Sequence, residues 1–393
     1  MPDDRTDSTR RGFIAASGAA ALAGSLAQSL PAAEPKGDRK IRIGVVGGGF
    51  GASFQWHLDP NCTVEAVSDL RADRRSRLQK VYTCAKPYES LERLVLDPEV
   101  DAVAVFTEAP NHARHVLECF KHGKHVISAV PACCSLEEAQ QMKEAKEKTG
   151  RQYMMAETSY YRAACILARD VWAEGKFGDF LYSEVEYYHP GIGHARDGLS
   201  HSGGKRTWRY GYPPMLYPTH STGFHVGVTK ERLTHVSCVG WKSKDPGFAD
   251  NPYSNPFASQ SALFRTSGDN ICRCNVFWHG HGHGERAQWM GADLTIFMGS
   301  WSGQPFVIKQ AGKPDVRKCP DYLDRLPEPM RVRSGHGNSH TFLTHEFIAA
   351  LVEGRAPAVD LYESLAMTVP GIVAMESARK GGEQLKVPGF DKA

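Results

Sequence analysis

The stretch Ile41-Arg42-Ile43-Gly44-Val45-Val46-Gly47-Gly48-Gly49-Phe50-Gly51-Ala52 decides the fold. Its first six residues form a short apolar run, the pattern of a parallel strand covered on both faces. The run passes directly into glycines and then into a short helix. Gly47 permits a tight turn, Gly49 lets the backbone approach a pyrophosphate, and a small residue at Ala52 allows close helix packing. The start of the helix then faces the anion. A glycine turn alone is a weak signal. Here a second strand, Thr63 to Ser68, ends in Asp69, about 20 residues on, where an acid binds ribose hydroxyls. The arrangement predicts a dinucleotide site built from Gly47, Gly49, Phe50, Gly51, Ala52 and Asp69. Asp69 disfavours a 2′-phosphate and so selects NAD, while Arg71 leaves NADP open.

Working outward, strand and helix patterns alternate. Helical stretches at Ala72–Val81 and Glu89–Leu96 precede a strand at Asp101–Thr107. A helix at His112–His122 stops at Gly123, and a strand follows at Lys124–Val130. Ser135 and Glu138 form a capping box for a helix that ends at Thr149. A further strand covers Arg151–Glu157. Such alternation implies a doubly wound parallel sheet. Beyond residue 158 the pattern changes. A helix at Tyr161–Glu174 leads to alternating strands at Asp179–His189, His235–Gly240, Ser261–Thr266, Asn270–Trp278 and Asp293–Gly299. Residues 190–220 read as a long loop. Helices at His340–Glu353 and Leu361–Ala378 close the chain. The fold class is α/β plus α+β, a Rossmann domain (36–157) followed by a mostly antiparallel open-sheet domain (158–393).

The 393 residues are 41% hydrophobic and 23% charged, a globular composition, and the formal charge of +3 argues against nucleic acid as a partner. The segment 1–35 contains Arg10-Arg11 followed by an Ala- and Gly-rich run. That is the layout of a twin-arginine export signal, which predicts a periplasmic protein with no membrane span after cleavage. The ten cysteines show no CxxC pair and no zinc-like spacing. They read as buried small residues, with a disulfide left open by export.

After the signal segment, the chain resembles the Gfo/Idh/MocA oxidoreductases. The resemblance is carried by the glycine turn, Asp69, the loop Ala109-Pro110-Asn111-His112, Gly123-Lys124-His125-Val126, and Thr344-His345-Glu346-Phe347 through Pro370-Gly371-Ile372-Val373. It implies that Pro110, Asn111, His112, Val130 and Pro131 border the nicotinamide and that the last helices return to the Rossmann domain. It also implies homo-oligomers paired through the open sheet. The family's Glu-Lys-Pro is replaced by Ala129-Val130-Pro131, and valine cannot transfer a proton. A subgroup, the NAD-dependent α-N-acetylgalactosaminidases, also lacks that lysine. It shares a Met-Met-x-Glu segment, here Met154-Met155-Ala156-Glu157, and Tyr-Pro-Thr-His, here Tyr217-Pro218-Thr219-His220. This likeness implies that Tyr161, Tyr217 and His220 line a reacting sugar. It breaks at Ala129, where the subgroup has glutamate.

His220 is the acid/base candidate, since an imidazole titrates near neutrality. Tyr217 and Tyr161 are placed to assist it or to pack. Glu157, at a strand end, either contacts ribose or sugar or forms a cap or ion pair. Trp208, Arg209 and Tyr210 offer aromatic faces and a cation for a sugar. His336, in a glycine-flanked loop, is a further substrate candidate. The run His279-Gly280-His281-Gly282-His283-Gly284 reads as a metal site, pocket contacts or a solvated loop, with Glu285 taken to face away from the imidazoles. No metal is expected. Three functions follow. One is hydride transfer between a sugar carbon and a nicotinamide. Another is glycoside hydrolysis with a retained, recycled NAD. The third is non-catalytic binding of sugar or dinucleotide.

Overall fold

The computed structural model describes residues 40–300 and 303–392, so the paired-arginine segment lies outside the described residues. The first sheet contains β1 (Ile41–Val46), β2 (Cys62–Ser68), β3 (Pro87–Tyr88), β4 (Ala102–Val105), β5 (His125–Ser128) and β6 (Tyr153–Met155). Their order is β3-β2-β1-β4-β5-β6, and every pairing is parallel. The strand order reverses between β1 and β4, the switch point at which doubly wound sheets bind nucleotides. All of β4 and the last four residues of β1 are buried, as sheets covered on both faces require. Helices α1 (Ala72–Tyr82), α2 (Leu91–Leu94), α3 (His112–Lys121) and α4 (Leu136–Thr149) connect the strands. Ser135 caps α4 by accepting the Glu138 amide at 3.1 Å, and Gly150 ends it in the left-handed conformation.

The second sheet is built from β7 (Phe180–Tyr188), β10 (Leu233–Lys242), β11 (Phe257–Thr266), β12 (Ile271–Phe277), β13 (Gly284–Gly291), β14 (Leu294–Phe297), β15 (Val307–Gln310) and β16 (Leu385–Lys386). It runs β15-β14-β13-β7-β12-β11-β10-β16, antiparallel except for β7 beside β12. The short strands β8 (His201–Ser202) and β9 (Lys205–Arg206) pair separately within the long loop. Helices α5 (Ala163–Ala173), α6 (Thr219–Thr229), α7 (Ser339–Glu353) and α8 (Leu361–Arg379) complete the chain. α7 and α8 return to the first sheet as expected. Thr344 Oγ1 accepts the Gln55 amide at 3.4 Å, His345 meets Asp59 at 2.8 Å, and the Val359 carbonyl, just before α8, accepts the Met155 amide at 3.0 Å.

Three expectations are corrected. The glycine turn opens only a short 3-10 turn, Gly51–Ser53, so no regular α-helix aims its dipole at the anion site. Strands β13 and β15 were not anticipated, because β13 starts inside the glycine-histidine run and β15 is only four residues long. The Tyr-Pro-Thr-His motif is not all loop, since Thr219 and His220 open α6. Every residue of α6 is buried, which erases the amphipathic period that announces a helix. Its Gly223 is needed for contact: a Cβ there would come within 3.0 Å of the Glu157 side chain.

Candidate active site

The turn after β1 has the shape of a phosphate cradle. Gly47 lies at φ +100°, and a Cβ there would strike the Phe106 carbonyl at 2.2 Å. Gly49 is open: the nearest atoms to a Cβ are those of the Arg74 guanidinium, 3.8 Å away. Backbone there is free to approach a diphosphate. Asp69 at the end of β2 is pinned by two amides, Gly48 to Oδ2 at 2.7 Å and Arg71 to Oδ1 at 2.8 Å. It thereby sets the turn while each oxygen keeps a lone pair for ribose. These features fit a nicotinamide dinucleotide. The Arg71 guanidinium is engaged with Asp73 at 2.8 Å. Phe50 packs edge-on against Phe54 and Phe106, and Gly51 and Ala52 start the short turn behind it.

Near the crossing from β4 to β5, His112 is fully enclosed. Its ring nitrogens lie 2.7 Å from the Pro131 carbonyl and 3.1 Å from the Thr107 carbonyl. Burial lowers its pKa. It therefore ties the loop of Pro110 and Asn111 to the end of β5 rather than extending toward a ligand. Val130 is buried at that end, with no titratable group in place of the missing lysine.

The centre of the substrate side is a buried dyad. His220, in the first turn of α6, places Nδ1 2.8 Å from Oε1 of Glu157, which follows β6. The same oxygen accepts the Ser159 amide at 2.8 Å, fixing the carboxylate. Neither side chain is more than 7% exposed. Burial opposes charge on both groups. The carboxylate nevertheless raises the imidazole pKa, and the imidazolium lowers that of the carboxyl. With Nδ1 committed to Glu157, Nε2 is the nitrogen left to exchange a proton. Among the described residues it has no hydrogen-bond partner.

Aromatic side chains line this nitrogen's surroundings. Tyr187 and Tyr217 lie with ring centroids 4.7 and 5.3 Å from that of His220. Burial raises the Tyr217 pKa against the pull of the neighbouring Arg209 cation. Arg209 also lies over Trp208, at 4.5 Å. His189 and His283 follow, 4.6 Å apart, and His283 is 6.1 Å from Tyr187. His336 stacks toward His220 at 6.5 Å and reaches Phe50 of the glycine turn at 5.9 Å. One imidazole thus spans the gap between the cofactor turn and the dyad.

The other candidates fall elsewhere. Tyr161 stacks on Phe342 at 5.4 Å and packs with Tyr160, so its ring contacts lie away from His220. Tyr210 is buried against His201 and the Arg206 guanidinium. The glycine-histidine run is divided: His279 rests on Trp241 and His194, His281 is exposed, and only His283 reaches the aromatic cluster. Glu285 does not face away. It shares the parity of His283, is buried, and forms a doubly hydrogen-bonded pair with Arg162 at 2.8 Å. Among the described residues no three His, Cys, Asp or Glu side chains gather into a metal site. The sequence reading missed Tyr187, His189, Arg162 and His340. Only the alternation of β7, which puts Tyr187 on the face of Val185, hinted at any of them.

Comparison with known proteins agrees with this geometry. Residues 41–157 match the GFO_IDH_MocA oxidoreductase family, NAD-binding Rossmann fold. A glycosyl hydrolase family 109 protein of Solibacter usitatus is 22% identical over 393 residues, covering 90% of this chain and 88% of the relative. One from Shewanella amazonensis is 30% identical over 246 residues, covering 54% and 53%. Among solved structures, levoglucosan dehydrogenase in complex with NADH superposes with TM-score 0.74 at 16% identity, covering 89% of this chain and all of that one. An oxidoreductase domain protein from Kribbella flavida gives 0.75 at 17% identity, with the same coverage. Residues 41–157 thus carry the NAD-binding Rossmann fold of the GFO_IDH_MocA oxidoreductase family, and the chain as a whole shares the two-sheet fold of these solved structures.

Proposed function

We propose that the protein moves a hydride between a sugar carbon and a bound NAD, with His220 handling the hydroxyl proton. The observation that carries this reading is the Glu157–His220 pair, closed at 2.8 Å and joined to the glycine turn through His336 and Phe50. When bound, NAD supplies the hydride acceptor; Gly47, Gly49 and Asp69 hold it. Glu157 keeps the Nδ1 proton of His220, so Nε2 takes the proton of a substrate hydroxyl and returns it in the reverse direction. Tyr187, Tyr217, Trp208 and Arg209 give the pocket flat faces and donors suited to a pyranose. The neighbour that carries NADH is, by its name, a dehydrogenase of levoglucosan.

A second reading has its own support. The relatives named as glycosyl hydrolases and the valine at position 130 both favour net hydrolysis of a glycoside with no net change in the nucleotide. His220 would then also serve the proton steps of aglycone loss and water addition. One experiment separates the readings. The protein is denatured and its nucleotide identified by mass spectrometry, and the native protein is assayed on a panel of 4-nitrophenyl hexosides and N-acetylhexosaminides. Sugar oxidation with NADH accumulating supports the first reading, and release of 4-nitrophenol without NADH the second. Absence of nucleotide, with no binding on titration, refutes both.

We further propose export by the twin-arginine route and pairing through the open sheet. All ten cysteines are free thiols, eight of them buried and two, Cys134 and Cys319, half-buried, as suits a protein folded before export. No helix among the described residues is long and apolar enough to cross a membrane. The outer sheet face presents a pre-set charge network, Glu184 and Glu186 with Arg273 and Arg286, beside exposed Leu263, Val239 and Trp241. Sedimentation as a monomer at micromolar concentration would refute the pairing.

A further inference from the structure

The loop Ser334–Asn338 is built around two imidazoles. His336 Nδ1 lies 2.8 Å from His340 Nε2, and His340 Nδ1 lies 3.0 Å from the carbonyl of Ser53, in the turn that follows the glycines. A carbonyl only accepts, so His340 carries its proton on Nδ1. Its Nε2 is then an acceptor, and the proton between the two rings belongs to His336 Nδ1. The chain of donors leaves His336 Nε2 as a bare lone pair. The loop is strained to hold this arrangement. His336 sits at φ +51° and Asn338 at φ +76°, conformations that cost a non-glycine residue energy and cluster at functional sites. The flanking glycines make room: a Cβ on Gly335 would meet the His340 ring at 2.4 Å, and one on Gly337 the Arg162 guanidinium at 2.8 Å. His340 is also stacked on Phe54 at 4.5 Å, which fixes its plane.

We infer that His336 is a substrate-contacting residue whose Nε2 accepts a hydrogen bond from a sugar hydroxyl, and that His340 is the positioning residue that fixes its tautomer against the cofactor turn. This rests on the sugar reading of the same pocket. The ring of His336 lies 20° from parallel to that of His220, with 6.5 Å between centroids, a slot that faces Nε2-bearing rings on both sides. The environments drive the two imidazoles apart. His220 is held toward the charged form by Glu157. His336 is pushed down to about 2 by burial, by the charge of His220 and by His340, Arg162 and His283; His340 is pushed to about 4 by burial, against the Ser53 carbonyl. The pocket therefore offers one nitrogen that exchanges a proton and one that only accepts, and a hydroxyl donating to the second presents its oxygen in a fixed orientation.

The test uses His336→Asn, whose amide nitrogen can still donate to His340 while nothing replaces Nε2, alongside His340→Gln. In the full-length protein, His336→Asn is expected to retain its nucleotide and its thermal midpoint. On the hexoside turned over by the unchanged protein, kcat/KM should fall about tenfold to a hundredfold, the scale of losing a buried recognition hydrogen bond. One monodeoxy version of that hexoside should be equally poor for the variant and the unchanged protein. A change below threefold on the parent hexoside, or no deoxy analogue that erases the difference, overturns the inference. A second arm needs no substrate. In 15N-histidine spectra, the resonances lost in His336→Asn should show the Nδ1–H tautomer at every pH from about 5 to 9, and His340→Gln should change that tautomer ratio. An Nε2–H tautomer, or titration in that range, overturns the inference. Inactivity of the unchanged protein on every sugar would refute the sugar reading, while the spectra would still decide the tautomer.

Discussion

Replacing Glu157 by glutamine removes the charge beneath His220 and keeps the shape. The carboxylate is fully buried, 2.8 Å from Nδ1, and is fixed by the Ser159 amide. Two consequences follow. First, glutamine can turn its NH2 toward Nδ1, which moves the ring proton to Nε2 and makes the reacting nitrogen a donor. Loss of the correct tautomer costs on the order of 10²–10⁴ in rate where an imidazole is the base. Second, the two largest influences that raise the His220 pKa, the charge and the hydrogen bond of Glu157, are gone, and burial with the Arg162 charge then outweighs the remaining pull of Glu285 and lowers it. For sugar oxidation by the unchanged protein, kcat/KM should rise with pH through an inflection above 6.5, as His220 loses its proton. In Glu157→Gln the residual activity should show that inflection displaced to lower pH. Stability shifts in a matching way. A raised imidazole pKa contributes stability that is complete below the unfolded value and is lost as pH rises through the folded one. A lowered carboxyl pKa contributes stability that is present above its unfolded value and lost as pH falls through the folded one. The pair therefore stabilises the fold between about pH 4.5 and the raised pKa of His220. Its removal should cost about 1–3 kcal/mol inside that window, because the buried imidazole discharges rather than remain an unpaired cation. Denaturant titration at pH 6 and pH 9 measures the difference. An unshifted pH–rate inflection, or an equal loss at both pH values, would refute the dyad as the proton-handling centre.

The remaining predictions concern the cradle, a buried ion pair and the thiols. Gly49→Ala has room in the fold and should leave the thermal midpoint within about 1–2 °C, yet reduce NAD affinity at least about tenfold by holding a diphosphate off the backbone. Gly47→Ala strikes a carbonyl at a positive φ and should lower soluble yield itself; equal behaviour of the two in titration calorimetry and thermal melts would contradict the cradle. Arg162→Met leaves Glu285 buried and unpaired and should destabilise by about 3–5 kcal/mol. Arg162→Met with Glu285→Met should recover much of that, as a double-mutant cycle by urea unfolding will show. Denatured, unreduced protein should titrate ten thiols with Ellman's reagent, since all ten cysteines are free. Eight or fewer would reveal a disulfide.

By itself, the sequence determined the nucleotide half. A mostly apolar strand, a glycine that needs positive φ and an acid at the next strand end are local features, and local sterics suffice to read them. β1 matches its expected bounds, and Gly123 and Gly150 end their helices as expected. The sequence also singled out Glu157, Tyr217, His220 and His336. What it did not contain was their assembly. α6 was hidden because a helix buried on every side has no polar face to set its period. Tyr161 and Tyr210 were misplaced because an aromatic ring reads the same whether it lines a pocket or packs a core. The tautomer of His336 depends, through His340, on the Ser53 carbonyl, 287 residues before His340. Only tertiary packing, which brings the C-terminal helices back onto the first sheet, could decide which histidine holds a proton and which is left with a lone pair.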